Sequence, residues 1–284
     1  MPRPSLRSRL GVLAAVATAT LTALTAGTAT GATTATGTTT PTGGDYGPPY
    51  VYTTALINNN PLNAEPLPKT AWITRTALGY LYRAGGQDSH LTLTRVTGGL
   101  RFRDTRTAKL KPLPDSCKRR RVDVGIAVVC RIPATVSVSA PLLVEVWPRV
   151  GDDFVDGSTL PASIDMTVLA DTGNDVAYLG AGDDFFNGHT GHDRVRGGAG
   201  SDWIRVGDDA DTVRSGSGDD RIVGMDGGDR INGGDGVDRL EGMDGNDVLD
   251  GGAGGDYLLC STGADTAQAD QSDTLRDCET VNRN

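Results

Sequence analysis

From residue 171 to residue 269 the chain repeats one nine-residue pattern of polar and apolar positions eleven times. The seventh position is apolar in every unit, through Ala177, Phe186, Val195, Ile204, Val213, Ile222, Ile231, Leu240, Leu249, Leu258 and Ala267. The fifth is always Asp: Asp175, Asp184, Asp193, Asp202, Asp211, Asp220, Asp229, Asp238, Asp247, Asp256 and Asp265. Gly holds the third position in ten of the eleven units, and Asp209 stands in the remaining one. Glycine recurring on a fixed register marks turns at positive φ. Each unit therefore predicts a tight turn of about six residues followed by a short strand, with the seventh side chain alone facing inward.

One such unit is not stable by itself. It buries a single aliphatic group, worth about 1.5–3 kcal/mol, against a backbone ordering cost of about 1–2 kcal/mol for every residue. Stacking must supply the difference. Two nine-residue units make one coil, so odd units form one parallel sheet and even units the other, with neighbouring strands about 4.8 Å apart. The same stacking gathers Asp175, Asp193, Asp211, Asp229, Asp247 and Asp265 along one edge and Asp184, Asp202, Asp220, Asp238 and Asp256 along the other. Columns of bare carboxylates repel, and a divalent ion between successive turns converts the repulsion into cross-linking. Carboxylates and turn carbonyls are hard oxygen ligands, so the expected ion is Ca²⁺; Mg²⁺ holds its water too tightly and demands a stricter octahedron. Columns of six and five aspartates leave room for at most nine ions. Because Asp209 replaces a turn glycine, the ions beside Asp211 are expected to be the most weakly held.

Ahead of the repeat the pattern changes to period two. His90–Val96, Leu100–Phe102, Val122–Ile132 and Val136–Val146 are rich in Val, Thr and Leu and predict strands, with Leu91 and Leu93 sharing a face. No stretch has a sustained helical period. The segment VGDDFVD at 150–156 looks like half a repeat, with Asp153 ahead of Asp175 but four positions out of register. These features predict an irregular β cap over residues 46–165, continuous with a roll over residues 166–284. Residues 1–32 read as an export signal: Arg3, Arg7 and Arg9 precede an apolar stretch from Leu10 to Leu24, and Ala26, Ala29 and Ala32 follow. The stretch is too short, and too interrupted by Thr, to span a bilayer, so membrane insertion is not expected. Residues 33–45, mostly Thr, Ala and Gly, read as a linker. The expected location is secreted and extracellular.

Composition and charge narrow the function. With 39 Gly and 5% aromatics, the chain is a poor match to a packed enzyme core. Residues 1–170 carry a net charge of +7 and residues 171–284 a net charge of −16. The acidic part repels nucleic acid and anionic membranes, and its natural partner is a cation. HExxH, GxSxG and phosphate-cradling sequences are absent, so no enzyme is expected. His189 and His192 flank Gly191 but lack a third zinc ligand. Lys118–Arg121 reads as a solvated basic loop, and Trp203, Arg221, Arg239 and Tyr257 as surface packing along one sheet. The rival reading is an adhesin, or a polymer-processing enzyme, in which residues 46–165 engage a cell-surface polymer and the roll is scaffold.

The repeat resembles the GGxGxDxUx nonapeptide of the RTX calcium-binding repeats. GGAGSDWIR from Gly197, GGDGVDRLE from Gly233, GMDGNDVLD from Gly242 and GGAGGDYLL from Gly251 carry the resemblance best, and it covers a third of the chain. It implies an all-β fold, a right-handed parallel β-roll (β-solenoid), in which turn carbonyls and the repeated Asp hold Ca²⁺ shared with the turns one coil away. RTX toxins and proteases usually leave the cell through a C-terminal signal, whereas this chain has the N-terminal kind, which argues against a toxin. In an exported chain the four cysteines read as two disulfides. Cys260 and Cys278 stand two repeat units apart, hence on adjacent coils within bridging distance. Cys117 and Cys130 form the other pair by elimination.

Overall fold

The structure is a computed structural model that describes residues 69–86 and 88–283, and those residues form strands and turns without a helix. The export signal (1–32), the linker (33–45) and the beginning of the cap (46–68) lie outside the described residues. Two sheets, one of eleven strands and one of twelve, run the length of the described chain.

The sheets follow directly from the repeat. Phe186, Ile204, Ile222, Leu240 and Leu258 of the even units are aligned neighbours in one sheet, each two units from the next, in parallel pairing. Val195, Val213, Ile231, Leu249 and Ala267 of the odd units align likewise in the other. All eleven seventh-position side chains are buried between the sheets. This is the parallel β-roll that the periodicity predicts.

The unit differs from expectation in its strand. Strands such as Arg230–Asp235 run six residues, and the fifth, seventh and ninth positions all face inward. The ninth is Gly188, Gly197, Gly224, Gly233, Gly242 or Gly251 in six units. At each of these, a Cβ would come under 3.0 Å from an oxygen of the next unit's Asp. In these six units the next unit's carboxylate occupies the place of a ninth side chain, whereas Leu179, Val206, Ser215, Cys260 and Ala269 are buried at that position in the other five.

Toward the N-terminus the same sheets continue in wider coils. Ile164–Leu169 pairs with Leu142–Trp147, placing Ile164 opposite Leu142, and Val176–Tyr178 pairs with Phe154–Asp156, placing Val176 opposite Phe154. Both pairings close a coil longer than two units. Beyond them the parallel order gives way to antiparallel pairing, of Thr70–Arg75 with Gly79–Arg83 and of His90–Val96 with Gly99–Asp104 and then Ile126–Cys130. These hairpins close the end of a stack that would otherwise present an open edge. The hairpins hold larger groups: Tyr80, Tyr82 and Phe102 are fully buried, with the Tyr82 and Phe102 rings 6.3 Å apart.

His90–Val96 is a strand as expected, with Leu91 and Leu93 buried. The stretch Val122–Ile132 narrows to Ile126–Cys130 because the chain turns at Gly125, where φ is 77°. The stretch Val136–Val146 contributes only Leu142–Trp147. Pro133 and Pro141 bracket a turn closed between Ser137 and Ala140, and neither proline has an N–H to extend a ladder.

Both disulfides are formed. Cys117–Cys130 joins two antiparallel strands, and Cys260–Cys278 joins adjacent coils with 5.1 Å between Cα atoms. The second sits where the repeat loses its register, since Tyr257 pairs with Thr274 and Thr266 with Thr280, each short of two full units.

The turns tolerate side chains unequally. Gly218 has a φ of 123°, and a Cβ there would lie under 3.0 Å from the Gly200 carbonyl oxygen. Gly218→Ala should destabilise the roll by about 1–3 kcal/mol, seen as a lower urea midpoint in calcium. Gly228→Ala should change it little, because its nearest neighbour is 3.5 Å away.

Candidate metal centre

The repeat aspartates form two continuous hydrogen-bonded rows. In one, the amide N–H of Asp175 donates to Oδ1 of Asp193 at 2.8 Å, and the same bond links Asp193 to Asp211, Asp211 to Asp229, Asp229 to Asp247 and Asp247 to Asp265 at 2.7–2.9 Å. In the other, it links Asp184 to Asp202, Asp202 to Asp220, Asp220 to Asp238 and Asp238 to Asp256 at 2.7–2.9 Å. The carbonyl of each Asp is engaged by the following coil as well; Asp175 accepts from Arg194 N–H at 2.8 Å and Asp184 from Trp203 N–H at 2.9 Å. All eleven residues are buried.

The rows outrun the repeat. Asp153 N–H donates to Asp175 Oδ1 at 2.8 Å, and Asp153 Oδ1 accepts from Ser89 N–H. At the other end Asp273 accepts from Asp256 and Glu279 from Asp265, each at 2.9 Å. A fixed nine-residue register misses all three. The signal that finds them is shorter: an acid, any residue, then an aliphatic, as in Asp153-Phe154-Val155, Asp273-Thr274-Leu275 and Glu279-Thr280-Val281.

The second oxygen of these carboxylates is the chemically important one. Oδ2 of Asp153 and of ten of the eleven repeat aspartates is buried with no hydrogen-bond partner. Asp184 differs, its Oδ2 accepting from Gly180 N–H at 2.7 Å. The orphaned oxygens are not alone in their surroundings. Asp229 Oδ2 and the Gly242 carbonyl oxygen both face the bare α-carbon of Gly224, and Asp238 Oδ2 and the Gly251 carbonyl oxygen both face that of Gly233. Hard oxygens from successive coils thus meet where no side chain intervenes.

Burial makes the charged form costly. Desolvation, increased in several cases by neighbouring aspartates and opposed by the N–H bond, pushes the carboxyls of Asp153 and Asp202 up to about 9. Those of Asp184, Asp193 and Asp211 rise to about 8. Asp175 and Asp238 rise to about 7, and Asp229 and Asp247 to about 6. Asp220 and Asp256 are raised by the same cause.

Among the described residues no three His, Cys, Asp or Glu side chains converge, so carboxylates alone do not make a cage. Main-chain carbonyls have to complete one, which suits a cation taking six to eight oxygens. Zinc fits badly: His192 is exposed, with Nδ1 3.0 Å from the Ala210 carbonyl, and no third ligand joins it. Asp209 does not disrupt its turn. It adopts a positive φ of 80°, below the 110–153° of the positive-φ glycines at the same position in other units, and Asp211 keeps both row bonds. An outer, exposed ladder holds the turns together too, with Asn174, Asp183, Asp219 and Asn246 accepting from the N–H of His192, Ser201, Val237 and Ala264. Trp203, Arg221, Arg239 and Tyr257 do align on one sheet. Trp203 packs on Phe185 and Arg239 on Tyr257, each at 4.7 Å, while Glu241 pairs with both arginines.

The family described as the RTX calcium-binding nonapeptide repeat (4 copies) matches residues 167–195, 188–222 and 223–258. That stretch consists of RTX calcium-binding repeats. No curated protein and no solved structure matches the chain.

The raised carboxyls fix how metal-free stability depends on pH. A folded value above the unfolded one means that the folded state binds more protons, so this stability is complete below about pH 4 and is lost as pH rises through 6 to 9. Circular dichroism in EDTA should show the β signal at pH 4 and its loss by pH 9.

Proposed function

We propose that this chain is a secreted, non-enzymatic calcium-binding protein whose roll folds when extracellular Ca²⁺ fills the two aspartate rows. The observation that carries the proposal is the division of labour within ten of the eleven repeat carboxylates: Oδ1 belongs to the backbone of the neighbouring coil, and Oδ2 is buried without a donor. The eleven repeat aspartates would hold the ions, with Asp153 extending one row into the cap. Ca²⁺ would supply the positive charge that neutralises the carboxylates, with their second oxygens and turn carbonyls available to hold it. The aspartates themselves fix the spacing of the coils through Oδ1 and present Oδ2 in a water-poor space, where a cation is held more strongly than at an exposed side chain.

Export gives the ion its timing. Calcium is scarce in the cytosol, so the aspartates stay ionised in an unfolded chain until it meets millimolar calcium outside. Extracellular calcium modules bind with Kd values of roughly 10⁻⁴ to 10⁻³ M, and several sites filled together contribute on the order of several kcal/mol by mass action. The two disulfides suit an oxidising compartment, and the arginine-led apolar start of the sequence supports passage there.

Calcium titration calorimetry of the chain from residue 33 onward, with circular dichroism in parallel, tests this. The expected result is uptake of several ions and a β signal present in millimolar calcium but lost in EDTA at neutral pH. Asp202→Asn keeps an oxygen for the Asp184 N–H while removing the charge. It should lower the number of bound ions by at least one and the melting temperature in calcium, with little effect in EDTA. An unchanged β signal in EDTA with no heat of binding would contradict the proposal.

A further inference from the structure

At the N-terminal end of the twelve-stranded sheet, the outer face carries positive charge that the described residues leave uncompensated. Along Gly99–Asp104, Leu100, Phe102 and Asp104 are fully buried in the core, so Arg101 and Arg103 point outward and are exposed. The neighbouring strand places Val129 opposite Arg101 and Ala127 opposite Arg103. On its far side Lys118 lies opposite Val129, and Arg120 N–H donates to the Ala127 carbonyl at 2.8 Å. A strip of two small apolar residues is thereby flanked on both sides by cations.

Arg95, Arg101, Arg103, Arg120 and Arg121 line a single groove of about 740 Å³ over that strip. A smaller hollow of about 200 Å³ continues past Lys118 and Arg131, with Asp115 as its carboxylate. None of the five groove arginines forms an ion pair among the described residues; the ion pairs found there both involve Glu241, in the roll. The basic run at 118–121 is therefore more than a solvated loop. Its first residues are strand, and the fold sets it beside arginines from two other strands.

We propose that this groove binds a linear anionic polysaccharide. Guanidinium groups pair with carboxylate or sulfate through two parallel hydrogen bonds. Arg101 and Arg103 are two residues apart on one strand, hence about 6.6–6.8 Å apart, and the cations across the strip lie two strand spacings away, roughly 9.6 Å. That width accepts one extended chain with charges on both flanks. Among the described residues no aromatic ring lines the groove, so they offer the bases of a single-stranded nucleic acid no stacking platform. Sugar rings need none, and the Thr97 hydroxyl is available to theirs. The site is separate from the aspartate rows, and the inference does not rest on calcium binding.

Affinity measurements on the full chain, disulfides intact and in millimolar calcium, test the proposal with dextran sulfate and hyaluronate as probes. Neutral dextran and a thymidine oligonucleotide of matched charge serve as comparisons. The anionic glycans should bind, more weakly as salt rises, and neutral dextran should not. Arg101→Glu with Arg103→Glu should weaken binding at least about tenfold while leaving the β signal and calcium uptake unchanged. Arg214→Glu with Arg230→Glu, exposed arginines of the roll in the same sheet, should leave it within about twofold. If the glutamate pair alters the β signal, Arg101→Gln with Arg103→Gln carries the same comparison. The proposal is overturned if no anionic glycan binds, if the roll variant loses as much as the groove variant, or if the oligonucleotide binds as tightly as the glycans. Sedimentation showing self-association through the groove in place of glycan binding overturns it as well.

Discussion

A carboxylate buried between two β-sheets has two oxygens to satisfy, and a parallel stack of coils supplies one backbone N–H for each. That N–H goes to Oδ1, because the aspartate one coil earlier begins its strand with a free donor turned toward the next coil. Among the described residues nothing answers Oδ2 along most of both rows. An orphaned buried acceptor costs about 1–3 kcal/mol, and more when charged, so the orphaned Oδ2 atoms of Asp153 and ten repeat aspartates cannot all be left as anions in so thin a core. Protonation or a cation has to relieve the rows. The remaining features of the roll follow from that requirement.

The unit is built around the carboxylate. Glycine at the ninth position leaves room for Oδ2, and a neighbouring coil's carbonyl reaches the same space. Positive φ at the third position folds ten of the eleven turns tightly enough to stack, even where Asp209 has to adopt it at a φ of 80°. The seventh side chain fills the interior in every unit, and the ninth adds to it only where Leu179, Val206, Ser215, Cys260 or Ala269 stands there, which explains how so much of the sequence can be Gly and Asp. Such a stack cannot end itself, and both ends show the remedy. Hairpins with a larger aromatic core close the N-terminal end, and the Cys260–Cys278 bridge binds the shortened coils at the C-terminal end.

Much of this was legible in the sequence because the signal repeats. Eleven aspartates at nine-residue spacing determine coil length, sheet assignment and row membership, and the rows are found where the spacing places them. What escaped did so for physical reasons. Asp153, Asp273 and Glu279 lie in coils of other lengths, where the connection absorbs the change and the strand returns to phase. The inward ninth position was hidden because glycine has no hydropathic signature. Pro133 and Pro141 removed half of an apparent strand whose alternation looked unbroken. The arginine groove draws on three segments that become neighbours only through antiparallel pairing in the cap, so no local pattern announces it.

The chain thus divides its charge between two proposed tasks: acidic rows whose orphaned oxygens would hold Ca²⁺, and a basic groove in the cap that would hold an anionic polymer. The first task is the foundation, and diffraction from crystals grown in calcium, with anomalous scattering used to locate the ions, tests it most directly. Ions in two lines beside the aspartate rows, about 2.3–2.6 Å from Oδ2 and turn carbonyl oxygens, are the predicted result. Ions found only on exposed turn side chains such as Asp183 and Asp219, with the buried Oδ2 atoms untouched, would contradict it.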